Sequence, residues 1–107
     1  MKKIKLMADY FCYPLWYNSH DSDYEVGDFD PNILPISDAL KKELLDWSDE
    51  YDGIFNDDDP ANSGFESLED ETAFIKQGDN LYERLQIELG SDYEIEWSSR
   101  RYGVREK

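Results

Sequence analysis

Residues 38–54 read DALKKELLDWSDEYDGI, and their apolar side chains recur with the period of an α-helix. Five of these side chains are spaced four, three, four and three residues apart and therefore share one helix face: Leu40, Leu44, Trp47, Tyr51 and Ile54. Pro35 prevents a regular helix from starting earlier, and the Ser37 hydroxyl can accept a free backbone N–H of the first turn. The stretch predicts an amphipathic helix that begins near Asp38 and weakens at Gly53.

A second helix is predicted over residues 68–89. Ser67 is its N-cap candidate, and Gly90 is well placed to take the left-handed conformation that ends many helices. The buried side of this helix is marked by four apolar residues: Phe74, Leu81, Leu85 and Leu89. Gly78 lies one turn after Phe74, where the missing side chain lets the two helices approach closely.

Alternating side chains predict a strand near each end of the chain. In residues 3–9 apolar positions alternate mostly with lysines, and in residues 92–98 they alternate with Glu94 and Glu96. The predicted order is strand, helix, helix, strand in a single domain, residues 1–107. The expected fold class is α+β, a two-helix hairpin packed on a small antiparallel sheet, because each direct connection would reverse the chain.

A long aromatic-rich segment, residues 10–36, separates the first strand from the first helix. It contains seven aromatic residues: Tyr10, Phe11, Tyr13, Trp16, Tyr17, Tyr24 and Phe29. A solvated loop would not carry so many rings, so the segment is expected to fold back onto the core. A short strand within it would lie around Tyr24 to Val26. The single cysteine, Cys12, lies among these rings and is expected to be a small buried hydrophobe.

The chain is strongly acidic, with 26 Asp and Glu against 11 Lys and Arg in 107 residues and a formal charge of −15. This charge repels a phosphate backbone, so nucleic-acid binding is not expected. It favours a cationic protein partner, because complementary potentials speed encounter, although solubility alone would also explain it. No Lys or Arg occurs between Lys42 and Lys76, an interval that holds twelve acidic residues.

The predicted partner-binding residues form two groups. Acids of the lysine-free interval would steer a cationic partner: Asp46, Asp49, Glu50, Asp52, Asp57, Asp58 and Asp59. Aromatic anchors would come from the long segment: Trp16, Tyr17 and Tyr24. Trp and Tyr are enriched at interface hot spots, although a small domain also needs such side chains in its core.

Catalytic residues, metal ligands and cofactors are not expected. Ser19, His20 and Asp21 have the residue types of a catalytic triad, but a triad converges from separate elements and these are consecutive. Asp21 also opens a calcium-loop-like run, which fails at Val26, where Gly is required, and at Asn32, where Glu is required. One cysteine forms no intrachain disulfide, and no apolar run suits a signal peptide or a membrane span, so the cytoplasm is the expected location.

A series of short motifs spans nearly the whole chain: Tyr13-Pro14-Leu15-Trp16, Asp30-Pro31, Leu34-Pro35-Ile36-Ser37, Trp47 with Tyr51-Asp52, Asp59-Pro60, Ser63-Gly64-Phe65, and Gly78 through Leu89-Gly90. Together these motifs resemble a family of small acidic bacterial proteins, some of which confer immunity to contact-dependent growth inhibition and related polymorphic toxins. The resemblance implies a cytoplasmic protein that binds and blocks a delivered toxin domain, and it supplies no catalytic residues.

The leading hypothesis is an immunity protein, not an enzyme, that neutralises a cationic, nuclease-type toxin domain through its acidic surface. One alternative is a small carboxylate-based hydrolase, which requires a concave site with convergent carboxylates of shifted pKa. Another is a non-enzymatic interaction module that forms a homodimer through a sheet edge.

Overall fold

The computed structural model describes residues 2–18, 27–60 and 63–97. Within these ranges lie four strands and two α-helices: β1 (Lys2–Leu6), β2 (Leu15–Tyr17), β3 (Asp28–Phe29), α1 (Asp38–Asp52), α2 (Leu68–Leu89) and β4 (Tyr93–Glu96). Short 3-10 turns precede α1 and follow α2, at Pro31–Ile33 and Gly90–Asp92. The α+β class and the strand-helix-helix-strand framework predicted from the sequence are confirmed.

The strands form one mixed sheet in the order β3-β2-β1-β4. β1 pairs antiparallel with β2, where Ile4 lies opposite Tyr17, and β2 pairs antiparallel with β3. On its other side β1 pairs parallel with β4, and Ile4 lies opposite Ile95. The buried side chain of Ile4 therefore sits at the centre of the sheet, between strands of both directions.

The predicted antiparallel pairing of the first and last strands is wrong. That prediction assumed that each strand connects directly to the next helix, which would reverse the chain at every step. The structure inserts β2, β3 and the Pro31–Ile33 turn between β1 and α1, so the connection is indirect and β4 returns beside β1 in parallel. The short strand expected around Tyr24 to Val26 lies outside the described residues.

Both helices begin at the serines that the sequence indicated. The Ser37 hydroxyl accepts the Leu40 N–H at 3.2 Å, and the Ser67 hydroxyl accepts the Asp70 N–H at 3.1 Å. α2 ends at Leu89, and the following Gly90 has a φ of +67° and a ψ of −153°, an extended conformation with positive φ that glycine adopts readily, rather than the expected αL conformation. Neither helix is long and apolar enough to cross a lipid bilayer, and this holds for every helix in the described part of the chain.

The two helices and the sheet share one apolar core. The Trp47 ring of α1 stacks on the Phe74 ring of α2 with centroids 4.5 Å apart, and Trp47 Nε1 donates to the Phe74 carbonyl at 3.0 Å. Nearer the other end of α2, the Glu88 carboxylate accepts the Ser37 N–H at 2.6 Å and the Ser37 hydroxyl at 3.0 Å. These contacts hold the helices antiparallel, as the hairpin prediction required.

Gly78 allows a close approach inside this core. A Cβ atom at Gly78 would lie 2.5 Å from Cη2 of Trp97 and 3.1 Å from Cζ2 of Trp47. Trp97 follows β4, and its Nε1 donates to Asp79 Oδ1 at 2.6 Å, so the ring is held against α2. The absent side chain therefore admits the end of the last strand as well as the neighbouring helix.

We expect Gly78→Ala to lower the free energy of unfolding by about 1 kcal/mol. Overpacking costs ~1–3 kcal/mol, which exceeds the ~1 kcal/mol that alanine gains over glycine within a helix. Urea denaturation of the wild type and the variant would measure the difference. In a Trp97→Ala background the penalty should largely disappear, because the crowding ring is gone. If the Gly78→Ala variant were instead more stable than the wild type, the Trp97 ring would not lie against Gly78.

Candidate functional site

The predicted steering acids of α1 lie on the solvent side of that helix. Asp46, Asp49 and Glu50 are exposed, and Asp52 is half-buried. The opposite side is buried and consists of Leu40, Leu44, Trp47, Ser48 and Tyr51. Because the apolar stripe follows the helical period, the intervening acids are turned outward.

Asp46 differs from the other three acids because a lysine compensates its charge. Nζ of Lys42, one turn earlier, lies 2.8 Å from Asp46 Oδ2. This hydrogen bond and the carboxylate charge raise the pKa of Lys42. Both side chains are largely in solvent, where water screens the pair. Among the described residues, the acids of α1 without a Lys or Arg ion pair are therefore Asp49, Glu50 and Asp52.

Glu50 carries its charge in an unfavourable position. Although Glu50 is exposed overall, the loss of hydration on its covered side raises its pKa above the ordinary value of 4.5, and repulsion from Asp70 of α2 raises the pKa further. A groove of about 350 Å³ lies where α1 and α2 meet, and Glu43, Asp46 and Glu50 contribute to its lining. A cation bound near Glu50 would offset both the desolvation and the repulsion.

The acidic turn, residues 57–59, presents three exposed carboxylates after α1. Asn56 Oδ1 accepts the N–H groups of Asp58 and Asp59, each at 3.1 Å. The Asn56 N–H is itself accepted by Ser63 Oγ at 2.8 Å, so the backbone of the turn is held in place. In the part of the chain that the structure describes, no group of three or more His, Cys, Asp or Glu residues is arranged to hold a metal ion.

Two of the three predicted aromatic anchors are half-buried on β2. Trp16 Nε1 donates to the Met7 carbonyl at 3.0 Å, and the Tyr17 ring lies 4.6 Å from the Phe29 ring. Each side chain thus has a partner within the fold and leaves only part of its surface to solvent. Tyr24, with the rest of the sequence from Ser19 to Val26, lies outside the described residues.

Residues 11–13, which we call the strap, form a surface that sequence reasoning missed. The strap lies across α1 and is anchored to it and to β3. Each strap residue is held by one side-chain hydrogen bond: the Phe11 N–H donates to Asp52 Oδ1 at 2.8 Å, the Ser48 hydroxyl donates to the Cys12 carbonyl at 2.9 Å, and the Tyr13 N–H donates to Asp28 Oδ2 at 2.7 Å.

Phe29, Tyr10 and Tyr17 of the long segment pack on the core as expected, but the strap rings do not. Phe11 is 70% exposed and Tyr13 is 42% exposed, while Cys12 is half-buried rather than fully buried. Phe11 has a φ of +60°, a conformation that residues other than glycine seldom adopt. The three side-chain hydrogen bonds hold the strap backbone in this arrangement.

A cleft of about 410 Å³, the strap cleft, opens between the strap and α1. Its lining combines the strap with side chains of β3 and α1: Phe11, Cys12, Tyr13, Asp28, Leu45, Ser48, Asp49 and Asp52. Burial raises the pKa of the Cys12 thiol, and the nearby carboxylates of Asp28, Asp9 and Asp52 raise it further. Asp28, Asp49 and Asp52 are the charged residues of the cleft lining, so the cleft is acidic.

The sequence model of a family described as Serratia CdiI immunity protein-like matches residues 2–100. The chain belongs to this family. The match extends from β1 through β4, so it includes the acidic face of α1, the acidic turn and the strap cleft. No curated protein matches the chain. The resemblance inferred from the motif series is thereby confirmed.

The raised pKa of Glu50 predicts a pH-dependent effect on the stability of this CdiI-like protein. Between the ordinary value of 4.5 and the raised value, the folded state binds more protons at Glu50 than the unfolded state does. This contribution to stability is therefore present at low pH and is lost as pH rises through that window. We expect Glu50→Gln to raise the urea midpoint near neutral pH and to leave it unchanged at about pH 3, where both side chains are neutral.

The matched control for this experiment is Glu83→Gln, which removes one charge from an exposed position on α2. It reports the general relief of repulsion in a chain of charge −15. If Glu83→Gln raised the urea midpoint near neutral pH as much as Glu50→Gln does, the effect would come from net charge and not from the surroundings of Glu50.

Proposed function

We propose that this chain is an immunity protein that binds a cognate bacterial toxin domain and neutralises it. The proposal rests on the family match over residues 2–100, because the family's description refers to an immunity protein. The proposed activity is stoichiometric binding rather than catalysis, and it takes place in the cytoplasm of the cell that the toxin enters. The proposal requires no metal or cofactor.

The charge of the chain supports a toxin with a cationic surface. The formal charge is −15, and the interval between Lys42 and Lys76 holds twelve acids and no Lys or Arg. A nuclease holds its polyanionic substrate with basic residues, so a strongly acidic protein can compete for the same surface. We therefore propose a nuclease-type toxin domain as the partner.

The two predicted groups of residues would act on different rate constants. Exposed charges at the rim of an interface mainly raise the association rate, and this is the role proposed for Asp49, Glu50 and the acidic turn. Asp46 would contribute less because Lys42 already compensates it. Partly exposed aromatic side chains such as Trp16 and Tyr17 would slow dissociation, because buried rings account for much of the energy at interface hot spots.

The direct test is a calorimetric titration of the purified protein against the toxin domain encoded beside its gene. We expect a complex at micromolar concentrations in low salt, loss of toxin activity once the protein is in molar excess, and weaker association as salt screens the charges. A lysozyme-type basic protein of unrelated origin serves as the control for unspecific charge attraction. Failure to form a complex with the neighbouring toxin in low salt would overturn the proposal.

Neutralising the acidic turn tests the steering role. We expect the triple variant Asp57→Asn, Asp58→Asn and Asp59→Asn to lower the association rate constant by about tenfold at low salt, with little change in the dissociation rate constant. Stopped-flow mixing would measure both constants. The matched control removes the same charge from exposed residues elsewhere: Glu83→Gln, Asp92→Asn and Glu94→Gln. Equal slowing by the two triple variants would show that net charge, not the acidic turn, steers the toxin.

A further inference from the structure

The strap cleft joins an exposed aromatic edge to uncompensated carboxylates. The Phe11 ring meets the Phe55 ring edge-on with centroids 5.3 Å apart, and the Tyr10 ring lies 5.1 Å from Phe55. Tyr10 also stacks on Tyr51 at 4.5 Å, and Tyr51 belongs to the core. The exposed ring of Phe11 is thus supported from below by rings that reach the core, so it is a firm edge rather than a loose side chain.

The carboxylates of the cleft keep their negative charge available. Asp28 and Asp52 each use one oxygen to hold the strap, and Asp49 lies exposed beside them. Among the described residues no Lys or Arg forms an ion pair with any of these three acids. A complementary ligand for this cleft therefore carries positive charge and some flat or apolar surface.

Arginine is the side chain that matches both halves of the cleft. Its planar guanidinium binds carboxylates through several N–H donors and stacks on aromatic faces, whereas a lysine ammonium is a compact and more strongly hydrated charge. Leu45, at the cleft wall, suits the apolar stem of such a side chain. A second copy of this chain is a poor occupant, because each copy carries a formal charge of −15.

We propose that the strap cleft receives an arginine-bearing segment of the toxin domain, with Phe11 and Tyr13 packing on it and Asp28, Asp49 and Asp52 binding the guanidinium. This inference rests on the proposed immunity function and identifies the surface that performs it. It moves the main aromatic anchors from Trp16 and Tyr17 to the strap. The backbone of the strap is already fixed by its hydrogen bonds, so binding loses little conformational entropy there.

The aromatic half of the proposal is tested with Phe11→Ala and Tyr13→Ala, each titrated against the toxin domain encoded beside the gene. Phe11 and Tyr13 are both exposed and lie outside the buried core, so near-UV circular dichroism and the thermal midpoint should stay close to those of the wild type. We expect each variant to weaken the complex at least about tenfold, mainly through faster dissociation. Ile87→Ala is the control, since it truncates an exposed apolar side chain on α2, away from the strap cleft, and it should change the affinity by less than about twofold.

The acidic half is tested with Asp28→Asn, Asp49→Asn and Asp52→Asn. An asparagine side-chain carbonyl can still accept the Tyr13 or Phe11 N–H, so these variants remove charge while keeping the strap in place. We expect a loss of affinity of about tenfold for the triple variant, and a smaller dependence of affinity on salt. A triple variant at Glu83, Asp92 and Glu94 again controls for net charge.

An arginine-to-glutamine scan of the toxin domain completes the test as a double-mutant cycle with Asp49→Asn. One toxin arginine should show a combined loss smaller than the product of the two single losses, because both substitutions remove the same contact. Wild-type affinity in all strap-cleft variants would overturn the cleft while leaving the immunity function intact. Absence of any complex with the wild type would overturn the immunity function, and the cleft proposal with it. Dimerisation of the free protein that Phe11→Ala abolishes would assign the cleft to a second copy instead.

Discussion

The contact between Trp47 and Phe74 is the constraint on which the rest of the structure depends. The two rings stack nearly in parallel, and the indole N–H of Trp47 is satisfied by the Phe74 carbonyl, so a large buried ring carries no unpaired polar group. This contact sets the distance and rotation of α1 against α2. The Trp97 ring meets the Trp47 ring edge-on and lies over Gly78, so the end of β4 packs against the same pair of helices.

The formal charge of −15 means that the acidic side chains repel one another in the folded protein. The core must offset that repulsion, and Glu50 shows a local instance of it, because its pKa is raised by burial and by Asp70. A cationic partner of the kind proposed above would relieve part of this repulsion.

The strap adds a different element, a fixed backbone that exposes its rings. Asp52 has two roles, because its carboxylate accepts the Phe11 N–H and also lines the adjoining cleft with negative charge. An aromatic side chain presented in this way has little freedom to lose on binding. This is the feature on which the proposed toxin contact at the strap cleft rests.

The sequence by itself determined the two helices, their serine caps at Ser37 and Ser67 and the outward acids, because periodicity and capping involve residues within a turn or two. The family resemblance was also recognisable from local motifs. Only the tertiary structure decided that β4 runs parallel to β1 and that the Phe11 ring lies in solvent. Both depend on contacts between distant parts of the chain, such as the Phe11–Asp52 hydrogen bond across 41 residues, which no local pattern encodes.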